Sequence, residues 1–408
     1  MESANEIYSI IKSCASCNSV SLDVIYDFGQ CPLAGYFPLP EKISNENLIE
    51  MKLMFCNSCE LIQINPNVSD RYLFSDYRYR SSIGMKFHFN SLVEWLTEKS
   101  LISSNSKILE VGSNDGTLLL QLRDHGFNAV GIDPAANINK LAKKENLTVI
   151  TGFFGTENLD THNLREKFNV IISCNSFAHI SDIADVAQAI NSSLLPDGLF
   201  IVEVQSLSAL LNRKAIDFIY HEHKYYYSVK SLRSLMESVG LYLIDGCLIE
   251  THGGSMRLVF SKLKTNLSDS INEILEIEKN QELNPINMRL AISQFMDQII
   301  DVRNLLISEK KNGARIIAFG ASGRGNMLLH YLGISHLIEF VYDESEERIG
   351  RQMALANVHI SRFSELLPES YEVCLVLAWN YSEVIIAKWP HRGKKLIIPF
   401  PEISTFTS

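Results

Sequence analysis

The 408-residue sequence contains no apolar run approaching the ~18 residues that cross a bilayer, so a membrane-spanning helix is not expected. Its start, MESANEIYSIIKSC, lacks the basic and apolar regions of a secretory leader, and the expected location is the cytoplasm. No basic stripe is present and the formal net charge is −10, which argues against a nucleic-acid partner while leaving room for a local nucleotide pocket. Internal repeats and low-complexity tracts are also missing, which excludes solenoids and fibres. What remains is a folded globular chain, 46% hydrophobic, whose length at roughly 150 residues per domain suggests two or three domains.

Of the eight cysteines, Cys31, Cys174, Cys247 and Cys374 stand alone. The other four form two pairs, Cys14-x-x-Cys17 (CASC) and Cys56-x-x-Cys59 (CNSC). Two such pairs can bring four thiolates to one tetrahedral Zn²⁺, each pair sitting on a tight turn. In a reducing compartment disulfides are the weaker alternative. Four thiolates leave no open coordination position, so the metal is expected to be structural, holding together a first domain at 1–75 whose core is thin.

KILEVGSNDGTLLLQLRDHGFNAVGIDP (107–134) reads as strand, glycine turn, helix and second strand ending in Asp133. This pattern suits a Rossmann-type crossover in which an acid grips ribose hydroxyls. The turn is Glu110-x-Gly112-x-x-x-Gly116 rather than GxGxxG, the form seen in class I S-adenosylmethionine (SAM) enzymes, which cradle no pyrophosphate. Asn114 in the turn and Asn175 at the end of the strand in FNVIISCNSFAHI complete the expected cofactor set. A helix, a Pro-Asp-Gly turn and further strand patterns follow, and a SAM-dependent domain is expected over 76–264.

A second strand, turn and helix appears in ARIIAFGASGRGNMLLHYLGI (314–334), followed by a strand ending in Asp343. Backbone N–H groups, a helix N-terminus and Arg324 make this turn a candidate phosphate or diphosphate site, with Ser322, Gly325 and Asn326 beside it. A plain tight turn is the blander possibility. Residues 265–312 read as connecting helices, so the expected fold is α/β, with a C-terminal Rossmann-like domain at 265–408.

DFIYHEHKYYYS (217–228) crowds His221, His223, Glu222 and four tyrosines together. An extended backbone would send both histidines to one face, yet no third ligand at metal-like spacing is nearby. Tyr220, Tyr225, Tyr226 and Tyr227 could each be half-buried packing residues. As a cluster following the SAM-type sheet, however, the stretch suits acid–base work. A histidine titrating near neutrality can remove a proton from carbon beside a carbonyl, and phenols can donate to the resulting enolate.

Together these stretches resemble the zinc-containing sugar C-methyltransferases of deoxysugar biosynthesis, which methylate C-3 of a nucleotide-linked 4-keto-6-deoxyhexose. The resemblance runs through CASC, DFGQCPLAGYF, CNSCELIQ, DYRYRSS (76–82), EVGSNDG, NSFAHI, IYHEHKYYYS, THGGSMR (251–257) and FGASGRGNMLLHY. It implies a C-terminal part that anchors a dTDP- or GDP-linked sugar and a middle domain that holds SAM, with the keto sugar between them. His223 matches the base for the C-3 proton. Tyr220, Glu222 and His179 match residues that orient the hexose or steady the enolate, and Tyr77 or Tyr79 reaches the same pocket. His252 and Arg257 of THGGSMR join Ser322, Arg324, Gly325, Asn326 and Asp343 as substrate-binding candidates. Arg324 replaces the family's lysine, ALAN (354–357) replaces its Pro-Gly-Thr turn, and Asp133 replaces the commoner glutamate. An O-methyltransferase acting on a nucleotide sugar and a non-catalytic binding protein are the alternatives. Monomer and homodimer stay equally open.

Overall fold

The computed structural model describes residues 7–42, 48–74, 79–82 and 84–408. Tyr77, one of the two tyrosine candidates, lies outside the described residues. The chain divides into two compact units, one made of residues 1–23, 54–208 and 224–283 and the other of 24–53, 209–223 and 284–408. The expected sequential division at 75/76 and 264/265 is therefore not the spatial one. Two stretches expected in the zinc and SAM domains, 24–53 and 209–223, group instead with the C-terminal part. The physical cause is a set of backbone ties: Asn326 Nδ2 donates to the carbonyl of Ala34 (2.7 Å), and Arg351 Nη1 to that of Phe37 (3.0 Å).

The first unit is built on seven strands: β1 (Lys107–Val111), β2 (Asn128–Asp133), β3 (Val149–Thr151), β4 (Phe168–Cys174), β5 (Leu194–Gln205), β6 (Tyr242–Ile249) and β7 (Ser255–Ser261). Their order is β6-β7-β5-β4-β1-β2-β3, with β7 antiparallel to both neighbours and the rest of the ladder parallel. β1 and β4 are near-continuous apolar runs, as expected for parallel strands covered on both faces. Helices α1 (Lys86–Glu98), α2 (Thr117–Asp124), α3 (Ala136–Lys144), α4 (Ile183–Ser193), α5 (Val229–Ser238) and α6 (Asp269–Gln281) belong to this unit. Cys14, Cys56, Cys59, Tyr225 and Tyr227 pack into one of its apolar clusters.

The second unit carries β8 (Ile316–Phe319), β9 (Ile338–Asp343), β10 (Ile360–Arg362), β11 (Val373–Val376), β12 (Lys395–Ile398) and β13 (Ser404–Thr407) in the order β10-β9-β8-β11-β12-β13. All neighbours are parallel except β12 and β13. The strand order reverses between β8 and β11, the place where open α/β sheets form a crevice. Helix α7 (Pro285–Lys311) starts at Asn284, whose side chain accepts from the N–H groups of Ile286 and Asn287, with Pro285 at the first helical position. α8 (Gly323–Leu332) starts on Ser322, which caps Gly325 N–H. Together α6 and α7 account for the expected helices between 265 and 312.

Candidate functional site

In the first unit, the turn after β1 is held open by glycine. Gly112 has φ +80°, and an added Cβ would stand 2.4 Å from the Ser176 Cβ. Gly116 (φ +81°) serves helix packing: its Cβ would meet Ala142 at 2.9 Å. The turn borders a cavity of about 510 Å³ lined among others by Tyr79, Gly112, Asn114, Asp133, Asn175 and His179. Of the two tyrosine candidates, Tyr79 thus lies on this cavity. Asp133 accepts from the N–H groups of Asn114 (2.9 Å) and Ala135 (2.8 Å), and burial pushes its carboxyl upward despite these bonds. Asn114 takes the left-handed φ of +49° and accepts from Ser81 N–H (3.0 Å), tying segment 79–82 to the turn.

Glu110 does not line the cavity; it is fully buried, and burial, then Asp133 and Asp115, raises its carboxyl well above the usual range. Asn175 also has a left-handed backbone, and its Nδ2 is buried with no hydrogen-bond partner among the described residues. A concave apolar space with a carboxylate at the end of β2 and an unspent amide donor at the end of β4 fits an adenosyl cofactor.

The four cysteines of the two pairs converge, their sulfurs all within 4.8 Å of one another. Cys14 to Cys59 and Cys17 to Cys56 are each 3.5 Å apart, near the edge length of a tetrahedral Zn–thiolate site with bonds of about 2.3 Å. The set fits zinc with no position left for substrate.

Three of the tyrosines turn out to be structural. Tyr225 and Tyr226 pair with Gln63 and Ile62, Tyr225 Oη donates to Ser181 O (2.6 Å), and Tyr227 is fully buried. Lys224, only 2% exposed, donates to Val68 O (2.7 Å) and also to Asp70 and Ser181, both of which line the cavity.

Arg257, expected to bind substrate, lies on β7 in register with Glu203 of β5, its Nε donating to Glu203 Oε1 at 2.6 Å. His88 completes this buried group, with Nε2 2.6 Å from Glu203 Oε2 and Nδ1 2.8 Å from Thr251 Oγ1. His88 and Arg257 hold Glu203 below its ordinary value against the opposing effect of burial. His252 follows in a turn where residues 252–254 all have positive φ. Sequence reasoning passed over Gln205, at the end of β5. Both its amide atoms are buried without a partner among the described residues, and no local pattern marks that position.

In the second unit the part of the stretch that holds both histidines, 219–223, is a turn following the single helical turn 216–218, and the two histidines part ways. His221 is 1% exposed, its Nε2 3.2 Å from Glu50 O, and burial drives its pKa down to about 4, so it stays neutral. His223 has Nδ1 3.1 Å from Phe218 O and Nε2 3.0 Å from Tyr220 Oη. A carbonyl can only accept, so Nδ1 carries a proton, and in the neutral ring Nε2 then holds the lone pair and accepts from the Tyr220 hydroxyl. Tyr220 and Phe218 flank the imidazole with ring centroids at 4.1 and 4.4 Å. Glu222 accepts from Gly35 N–H at 2.5 Å.

The second glycine turn is more occupied than expected. Gly320 (φ +102°) lies so close to Ala378 that an added Cβ would stand 2.6 Å from the Ala378 Cβ. Ala321 N–H donates to Asp343 (2.6 Å), Gly325 N–H to Ser322 Oγ (3.1 Å), and Asn326 Oδ1 accepts from Ala354 N–H (2.8 Å). Arg324, expected to meet phosphate, instead grips Asp217 with both arms of its guanidinium.

Comparison with known proteins adds three matches in chain order. A zinc binding domain matches residues 14–74, a methyltransferase domain 86–245 and a C-methyltransferase C-terminal domain 250–401. The chain is 29% identical over 412 residues to the C-methyltransferase NovU of Streptomyces niveus, with 97% of each chain covered. An uncharacterized methyltransferase of Staphylococcus carnosus is 24% identical over 35% of this chain and 72% of its own. A solved SAM-dependent methyltransferase of Thermotoga maritima covers 44% of this chain and 92% of its own at 18% identity and a TM-score of 0.36.

Proposed function

We propose that this chain is a zinc-containing, SAM-dependent C-methyltransferase whose acceptor is C-3 of a nucleotide-diphosphate-linked 4-keto-6-deoxyhexose, reached through an enolate, a reading supported by the three domain matches and the full-length similarity to a C-methyltransferase. The observation that carries this reading is the hydrogen bond between His223 Nδ1 and the Phe218 carbonyl, which assigns a proton to Nδ1. An enolising base needs a lone pair on a neutral imidazole, and with the Nδ1 proton directed at the Phe218 carbonyl that lone pair falls on Nε2, beside the Tyr220 hydroxyl. Nε2 takes the proton from the carbon next to the ketone, and the C–H electron pair moves into the C=C bond while the charge collects on the ketone oxygen. Once Nε2 is protonated, the Tyr220 hydroxyl no longer has its lone pair to donate to and can turn to the oxyanion.

SAM supplies an electrophilic methyl group when bound, and the turn at Gly112, Asp133 and Asn175 are the residues that would hold it. The balance is one C–H bond and one sulfonium S–CH3 bond broken, one C–C bond formed, S-adenosylhomocysteine as the leaving group and one proton left on His223 for solvent. Zinc at Cys14, Cys17, Cys56 and Cys59 is structural, because its thiolates fill the coordination sphere.

The test is incubation in D2O with dTDP- and GDP-linked 4-keto-6-deoxyhexoses, with and without SAM, read by mass spectrometry and proton NMR. Loss of the C-3 proton and a new C-methyl singlet is the expected result, and the arm that reacts identifies the nucleotide. A methyl on another carbon, or no reaction in either arm while SAM binds, would overturn the proposed acceptor.

A further inference from the structure

The crevice where β8 and β11 diverge is the usual ligand position of an open α/β sheet, yet here it receives part of the same unit. Arg324, in the first turn of α8, donates through Nη2 to Asp217 Oδ1 (2.9 Å) and through Nε to Oδ2 (3.1 Å). Trp379, just after β11, adds its indole N–H to Oδ2 at 2.9 Å. The Asp217 side chain is 0% exposed and that of Arg324 10%. The guanidinium carbon lies 4.6 Å from the Trp379 ring centroid and 5.1 Å from that of Phe218. Phe218 in turn packs on His223 and carries the carbonyl that accepts from its Nδ1–H.

From this chain of contacts we infer that Arg324 is a positioning residue for His223, acting through Asp217 and Phe218 to keep the Nε2 lone pair available. A three-residue helical turn has too few bonds of its own to hold one carbonyl in place. A bidentate fork on a buried carboxylate, clamped between two aromatic faces, supplies that constraint. The catalytic consequence rests on His223 being the base, whereas the tautomer itself does not.

The experiment is two-bond ¹H–¹⁵N correlation NMR of unliganded, ¹⁵N-histidine-labelled protein, with the His223 signals assigned by their loss in His223→Gln. The native protein is expected to show a single Nδ1–H tautomer. Arg324→Lys keeps the charge but loses the fork and the stacking. It is expected to show a tautomer mixture and, on whichever acceptor turns over, a kcat lower by on the order of ten-fold or more with KM little changed. Should Arg324→Lys fail to fold, Trp379→Phe, which takes one donor from Asp217, is expected to move the same signals less. An unchanged tautomer in folded Arg324→Lys and Trp379→Phe overturns the inference. So does a rise in KM with kcat preserved, since Arg324 would then be holding substrate. A shifted tautomer combined with full methyl transfer by His223→Gln would support the positioning role and remove His223 as the base.

Discussion

Gly112→Ala isolates the glycine turn at the SAM cavity. Two costs combine. Placing alanine at φ +80° costs roughly 1–2 kcal/mol, because its Cβ crowds the following carbonyl. The same Cβ would also stand 2.4 Å from the Ser176 Cβ and 2.6 Å from its Oγ, so Ser176 must move. Ser176 Oγ donates to Val111 O at 2.8 Å and lies 2.7 Å from Ser173 Oγ, two bonds worth about 1 kcal/mol each. The expected loss is about 3–4 kcal/mol.

Gly126→Ala is the control, since its φ is +85° but nothing lies within 4 Å of the added Cβ, so only the backbone cost applies. Thermal melts should place the Gly112 variant on the order of 4–8 °C below the Gly126 variant. Calorimetric titration should show weakened SAM binding for Gly112→Ala alone. Equal melting temperatures with native SAM affinity in both variants would refute the claim that the turn is shaped by close approach.

Further outcomes are expected. Native protein should carry about one zinc per chain by mass spectrometry, and Cys14→Ser should lose both the metal and stability; a stable, zinc-free variant would contradict the structural role. His223→Gln should lower kcat by about 10²–10⁴ and abolish C–H exchange while SAM affinity, read by calorimetry, stays native, because His223 does not line the cavity.

Burial raises Glu278 to about 7 although it accepts Val229 N–H, so the folded state keeps a proton that the unfolded state has lost from about pH 4.5 upward. Stability should therefore fall between those values, by up to about 3 kcal/mol, and Glu278→Gln should remove that slope in melts from pH 5 to 8. His221, lowered to about 4, acts oppositely, with stability lost as pH falls from 6.5 toward 4. Gln205→Leu should raise the melting temperature, as removing two buried, unpartnered polar atoms relieves about 1–3 kcal/mol; a lower one would mean that the amide is satisfied.

The sequence by itself determined what depends on spacing and local conformation. Two Cys-x-x-Cys turns suffice to specify four converging thiols, and an apolar run ending in a positive-φ glycine specifies a strand opening into a crevice, as at Val111 and Gly112. The acid at Asp133 follows from the length of the crossover. Partners across long stretches of chain were decided by tertiary structure alone. Arg324 reads as a phosphate ligand until Asp217, 107 residues earlier, is found in its grip. Arg257 likewise looks available until the β5–β7 register sets Glu203 opposite it.

The grouping of residues 209–223 with the C-terminal sheet, and the turn that separates His221 from His223, were equally beyond sequence reasoning. A run of polar and aromatic residues encodes capacity for hydrogen bonds but not their direction. Packing set the surroundings of each lone pair, by turning His221 Nε2 to the Glu50 carbonyl with Nδ1 buried, and His223 Nδ1 to the Phe218 carbonyl with Nε2 beside the Tyr220 hydroxyl.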